Sequence, residues 1–234
     1  MTIRIDDKNK TMKLGVGDLV RLLSDSGNSS KGTPFGAVWG REQHRRLAAE
    51  GSLNERSAEM HVAHSIRVGN YSAQISGRID LLRTGPDKTL VQEIKTVALS
   101  AQQLETSKED EFPDFRDQLR IYLYLLDCAG EYRNLEGNLL LVSLIDGSIT
   151  EVPVSYQQEQ VFLLVRTALL GVLRRHEQAK QRKMYRRSLS EQVNFPHAVP
   201  RPYQDEAADA VRHALETRNN LLLSAPTGAG KTAA

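Results

Sequence analysis

The sequence of 234 residues predicts an α/β fold in which a mixed central β-sheet is flanked by helices. Three observations carry that expectation. Tyr71 to Arg83 and Leu90 to Val97 alternate as strands do, and the turn formers Thr84-Gly85-Pro86-Asp87-Lys88 between them make the pair a hairpin. Asn138 to Asp146 holds the run Leu139-Leu140-Leu141-Val142, apolar enough for a central strand buried on both faces. Helical spacing of apolar residues recurs around these strands, over Phe35 to Glu50, Phe115 to Cys128 and Tyr156 to about Arg187.

In chain order, residues 1–13 mix charges without period and are expected to be loosely ordered. Gly17 to Leu23 reads as a short helix with Asp18 as its candidate cap, and Ser24 to Pro34 as a loop. In the helix Phe35 to Glu50, closed by Gly51, Gly40, His44 and Leu47 or Ala48 share a face. Ala58 to Val68 is a third antiparallel strand beside the hairpin. Its His61 and His64 fall on opposite faces, which suits structural roles better than a joint metal site.

After the hairpin, Leu99 to Asp114 is a polar connection, with Glu109-Asp110-Glu111 and then Pro113. In the helix Phe115 to Cys128, ended by Gly130, Gln118 and Tyr122 stand one turn apart, while Leu119, Leu123 and Leu126 supply core contacts. Asp146-Gly147 is a tight-turn signal that returns the chain as Ser148 to Val154. The long helix from Tyr156 begins with a core stripe of Val161, Leu164, Val165, Ala168, Leu169 and Val172. It ends basic, in Arg174, Arg175, Lys180, Arg182, Lys183, Arg186 and Arg187, either as a solvated face or as a contact for phosphates.

The net charge is only +2, so any nucleic-acid surface is a local patch and not a global field. The single cysteine, Cys128, excludes a disulfide framework. No apolar run approaches the roughly 20 residues of a membrane helix and the N-terminus is polar, so a cytoplasmic protein without membrane contact is expected.

The chemistry concentrates in Gly77-Arg78-Ile79-Asp80 and Glu93-Ile94-Lys95, on the two arms of the hairpin. Glu93 and Lys95 share a strand face, and Asp80 can join them if the register allows. Two carboxylates can hold a hard divalent cation, leaving positions for water and a substrate phosphate, and the lysine can orient that water. Alone, an acid and a lysine two apart on a strand also suit an exposed salt bridge.

Asp80, the spacer that follows and Glu93-x-Lys95 resemble the core of the PD-(D/E)xK nuclease superfamily, with a Gly-x-x-Asp form of the first element. His44 upstream and Gln118-x-x-x-Tyr122 downstream resemble its RecB-type branch. The resemblance implies a restriction-endonuclease-like core and a DNA nuclease that hydrolyses phosphodiester bonds with Mg2+ or Mn2+. It implies His44, Asp80 and Glu93 as metal ligands with the Ile94 carbonyl added, Lys95 positioning the water, and Gln118 with Tyr122 orienting substrate. The four-cysteine iron-sulfur cluster of some relatives is excluded by the lone Cys128.

Ser188 to Pro202 carries Pro196, Pro200 and Pro202 and reads as a boundary. Beyond it come Tyr203-Gln204, a helix from Asp205 to about Arg218, an apolar strand Asn220 to Ser224, and Ala225-Pro226-Thr227-Gly228-Ala229-Gly230-Lys231-Thr232. The last segment is a P-loop, whose amides cradle phosphates while Lys231 reaches the terminal ones and Thr232 holds Mg2+. With Tyr203-Gln204 it resembles the start of DinG and XPD-like superfamily 2 helicases, which implies that Gln204 reads adenine and that Thr227, Gly228, Gly230, Lys231 and Thr232 belong to an ATP site. The sequence stops two residues after Thr232, so ATP is expected as a cofactor only of a full-length helicase, and ATP hydrolysis is not expected of this polypeptide.

The expected organisation is a nuclease domain over 1–187, a linker over 188–200 and the start of a motor domain over 201–234. A motor in the same polypeptide generates or tracks one strand, so single-stranded DNA is the expected substrate. The alternative is a non-cleaving DNA-binding accessory domain that guides DNA to the motor, with the acidic stretch from Glu109 to Glu111 occluding the site.

Overall fold

Strand β4 (Tyr71–Thr84) organises the sheet, because its two edges are used differently. The computed structural model describes residues 3–24, 56–190, 203–222 and 224. The described strands form a seven-stranded mixed sheet. They are β1 (Arg4–Asp6), β2 (Thr11–Gly15), β3 (Arg56–Val68), β4, β5 (Thr89–Val97), β6 (Leu135–Ser143) and β7 (Ile149–Val154).

One edge of β4 is taken by β3, antiparallel from Val68 opposite Tyr71 to Arg56 opposite Arg83. The other edge is shared. Ser72 to Ser76 pair with β2 in parallel, and Leu81 to Thr84 pair with β5 antiparallel. Gly77, Arg78, Ile79 and Asp80 lie between those two pairings. Past Gln92, β5 leaves β4 but stays paired in parallel with β6 as far as Val97 opposite Ser143, and β7 closes that side antiparallel to β6. The expected hairpin, its third strand and the buried central strand are therefore all present.

The N-terminus departs from expectation. Residues 4–15 form two strands, with Met12 and Leu14 buried in the main core. Met12 and Leu14 are two apart, so one face of a short strand is apolar although the charges around it hide the pattern. Helix α1 (Val16–Leu23) follows directly; Gly15 is its N-cap and Asp18 sits in the first turn. The predicted helix over residues 35–50, which carries His44, lies outside the described residues.

Helix α2 (Ala101–Glu105) and a 3-10 turn (Glu109–Glu111) lead into helix α3 (Pro113–Ala129). Pro113 occupies the first turn of α3, where its missing N–H costs nothing, so it opens the helix where sequence reasoning made it a stop. Gly130, at φ 72°, ends the helix in the left-handed conformation that glycine adopts without strain.

Leu119, Ile121, Leu123, Leu125 and Leu126 are all essentially inaccessible, so the middle of α3, from Leu119 to Leu126, is enclosed around most of its circumference. Each such side chain contributes about 1.5–3 kcal/mol by leaving water. On the sheet side α3 comes close because β6 has Gly137, where a Cβ would lie 2.8 Å from Leu123 Cδ1 and 3.2 Å from Leu119 Cδ2. On another side the Tyr124 ring lies 6.4 Å from the Phe162 ring of helix α4 (Gln158–Ser190), and the Tyr156 hydroxyl donates to Asp127 Oδ2 at 2.7 Å.

Val161, Val165, Leu169 and Val172 of α4 continue this core, whereas Arg182 to Leu189 are exposed on every side. The chain divides into compact units at Arg175 and His176, within α4. The second unit contains helix α5 (Gln204–Thr217). The strand expected from Asn220 is not formed at 220–222, and Leu222 is 95% exposed. A strand needs a neighbour to take its N–H and C=O groups, and the described residues of this unit include no other strand. No described helix is long and apolar enough to cross a membrane.

Two expectations test this packing. Gly137→Ala should destabilise the protein by about 1–3 kcal/mol in urea unfolding, because the new methyl enters space held by Leu119 and Leu123. Burial first, and then neighbouring Cys128 and Asp127, push the Tyr124 and Tyr156 hydroxyls above the ordinary value of 10.0. Folding therefore favours the protonated phenols: that contribution is complete below pH 10 and is lost as pH rises further. An absorbance titration should show both tyrosines ionising only with alkaline unfolding.

Candidate active site

The site forms where the shared edge of β4 forks. Leu81 opposite Gln92 is the last β4–β5 pair, and one further step in that register would set Asp80 opposite Glu93. The ladder opens there instead. Asp80 Oδ2 accepts the Ile94 N–H at 2.9 Å, taking the place of a backbone carbonyl. The carboxylate of Asp80 is thereby tied to the strand that carries Glu93 and Lys95.

The phase of β4 shifts at this point. Ile79 and Leu82, three apart, both enter the main core, while Leu81 joins Ile94, Leu140 and Val142 in a separate small cluster. Strict alternation cannot satisfy all three positions, so the side on which Asp80 falls is set by this shift.

Glu93 is 2% exposed, and burying a carboxylate is costly without partners. Its Oε1 takes Lys95 Nζ at 2.8 Å and accepts from Gln118 Nε2 at 2.6 Å. Gln118 Nε2 also stands 3.4 Å from the Tyr122 hydroxyl. Burial, with the Glu93 charge second, pushes the Tyr122 phenol up to about 12 against the hydrogen bond from Gln118, so Tyr122 is neutral at working pH. Tyr122 is only 4% exposed and cannot stack on a base. Gln118 thus links the Tyr122 hydroxyl to the Glu93 carboxylate.

Gly77 explains the glycine of Gly77-Arg78-Ile79-Asp80. A Cβ there would meet Tyr122 Cε1 at 2.7 Å and Val16 Cγ2 at 2.9 Å. The missing side chain lets Tyr122 lie against β4 beside the two acids.

Phe115, Gln118 and Tyr122 are three and four apart and form one stripe of α3 facing the site. Phe115 is half-buried; Lys95 Nζ lies 5.4 Å from its ring centroid, and the Phe112 ring is stacked on it at 6.0 Å. Sequence reasoning missed both aromatics, although the position of Phe115, one turn before Gln118, was the available signal.

The acidic turn is not placed as an occluding segment. Glu109 accepts from Ser155 N and Oγ and from Arg120, and Asp110 pairs with Arg116. At 100° per residue, Arg116 and Arg120 point roughly 160° away from Gln118 around α3.

The structure thus brings Asp80, Glu93, Lys95, Gln118 and Tyr122 together. Ile94 contributes its N–H to Asp80, and its side chain lies in the small cluster. His61 is exposed and His64 half-buried, apart from any cluster of ligands among the described residues. Gln204 opens α5 and is buried, and Tyr203 before it is exposed at φ 68°. His44, Thr227, Gly228, Gly230, Lys231 and Thr232 lie outside the described residues.

Among the described residues no three potential metal ligands cluster. What the fork supplies is two carboxylates on neighbouring strands, oxygen donors of the kind that Mg2+ and Mn2+ take while retaining water and substrate oxygens. The donor set fits such an ion.

Solved structures to which the chain shows similarity include the protein SSO0001, at 22% identity and TM-score 0.47, covering 71% of this chain and 78% of that one. Another is a protein from Eubacterium rectale with an ascribed exonuclease activity, at 12% identity and TM-score 0.40, covering 86% of this chain and 65% of that one. No curated protein matches the sequence. The family model of the PD-(D/E)XK nuclease superfamily matches residues 12–227, nearly the whole sequence and all of the forked site, and the chain belongs to that superfamily.

Proposed function

We propose that the protein is a divalent-metal-dependent deoxyribonuclease that hydrolyses phosphodiester bonds, with single-stranded DNA as its substrate. The observation that carries this reading is the convergence of Asp80, Glu93 and Lys95 at the β4–β5 fork. Asp80 and Glu93 would hold Mg2+ or Mn2+, with the Ile94 carbonyl and His44 as further ligands. Bound there, the ion would polarise the phosphoryl group and neutralise charge that builds on it.

The protein's own groups divide the remaining work. Lys95, fixed between the Glu93 carboxylate and the Phe115 ring, donates hydrogen bonds to the attacking water and to non-bridging phosphate oxygens. Gln118 and Tyr122 act through Glu93: they keep its Oε1 oriented while Tyr122 excludes water behind it. The helicase-like segment from Tyr203 supports a single strand as substrate, since a motor in the same polypeptide would deliver one. The accessory-domain alternative loses its motivation, because Glu109 and Asp110 are bound on the far flank of α3.

Incubation of the protein with labelled single-stranded DNA and Mn2+ should give cleavage that EDTA abolishes. Asp80→Ala and Lys95→Ala should each lower the rate by about 10²-fold or more, and activity surviving either change overturns the mechanism. Gln118→Ala should lower kcat by about 10-fold with little change in KM, since it orients a ligand group and does not bind substrate. A rise in KM at constant kcat would show that Gln118 touches substrate instead.

A further inference from the structure

We infer that Phe112 and Phe115 form a base-stacking platform at the mouth of the site, which takes an unpaired nucleobase next to the scissile phosphate. The inference rests on the nuclease reading and goes beyond it, because it names the groups that select single strands. Both rings are only half-buried although they pack against the main core, so part of their surface stays open to solvent. The two rings are stacked on one another, 5° from parallel with centroids 6.0 Å apart, at the start of α3. A pair of aromatic rings already stacked on one another can extend that stack onto a base.

Position gives the pair its use. Lys95 Nζ lies 5.4 Å from the Phe115 centroid and 2.8 Å from Glu93 Oε1, so the ring and the buried carboxylate flank the same ammonium. A phosphate drawn to Lys95 therefore places its adjoining base within reach of Phe115 and Phe112. In a duplex both faces of that base are covered by its neighbours, so the platform can engage only an unpaired or extruded base. Every base has a flat face, so the contact selects strandedness without reading sequence.

The probe is a short oligonucleotide carrying one 2-aminopurine, single-stranded or closed into a hairpin duplex, titrated with the full chain in EDTA so that binding is read without cleavage. Wild type should quench the single-stranded probe and bind it more tightly than the duplex. Phe112→Leu and Phe115→Leu should each weaken single-strand binding by about 10-fold, remove the quenching, and leave duplex binding within about two-fold. Phe112→Tyr and Phe115→Tyr should restore both signals. Because a leucine at either position could loosen α3, each variant is accompanied by its thermal melt, and the tyrosine rescue separates stacking from folding. Unchanged single-strand affinity in folded leucine variants overturns the proposal, as does an equal loss on single strand and duplex, or absence of quenching by wild type. The nuclease reading is judged separately by cleavage in Mn2+. Quenching without cleavage removes that reading and keeps the platform, whereas cleavage that leucine variants perform with unchanged strand preference does the reverse.

Discussion

The site depends on one hydrogen bond that replaces a rung of the sheet. At the point where β5 parts from β4, the Ile94 N–H would lose its ladder partner, and Asp80 supplies a side-chain oxygen instead. A buried backbone donor left unmet costs about 1–3 kcal/mol, so the substitution removes a penalty that opening the sheet would otherwise incur. It also positions a carboxylate. The opening of the ladder and the position of the acid are thus linked through this bond.

The divergence makes room for α3, and α3 makes a buried Glu93 tolerable. A carboxylate that is 2% exposed needs charge and hydrogen-bond partners, and it finds Lys95 on its own strand and Gln118 on the helix. Gln118 reaches Glu93 because two glycines lower the strands beneath α3. Gly77 admits Tyr122, and Gly137 admits Leu119 and Leu123. The same helix is closed off behind by α4, so the side chains that hold Glu93 stand on an element with little freedom to move.

Much of this was legible in the sequence where local pattern and chemistry coincide. The alternation of Tyr71 to Arg83, the turn at Gly85 and the acid-x-lysine triplet placed the hairpin and named Asp80, Glu93 and Lys95. The helical spacing of Gln118 and Tyr122 put them on one face. Their direction was not legible. A Gln and a Tyr side by side suit a substrate contact as well as a support, and the depth of Tyr122 and the Gln118–Glu93 bond are what the sequence does not express. The side taken by Asp80 was hidden because β4 changes phase there, a tertiary consequence of the fork that alternation cannot express. Strands β1 and β2 were missed because short strands are specified by their neighbour: β2 gains its meaning from parallel pairing with Ser72 to Ser76, far along the chain. The apolar run from Asn220 shows the converse, since strand-like composition does not make a strand when the described unit offers no edge to pair with.

In the proposed nuclease reading, a site built on two carboxylates would meet a polyanion, and the charges already present would bear on that approach. Among the described residues, Lys95 lies against Glu93 at the fork, whereas Arg116 pairs with Asp110 and Asp117, and Arg120 with Glu109, on the far flank of α3. Only the first of these pairs lies at the fork, and the net charge of the whole sequence is only +2. Affinity drawn from phosphate contacts alone would therefore be modest and would fall with salt. A cation held between Asp80 and Glu93 would add attraction at the scissile phosphate, where charge develops during hydrolysis, and not along the whole strand. Short-range contacts beside Lys95 would add to that attraction, and the described side chains that stand there include the aromatic Phe115 with Phe112 stacked on it.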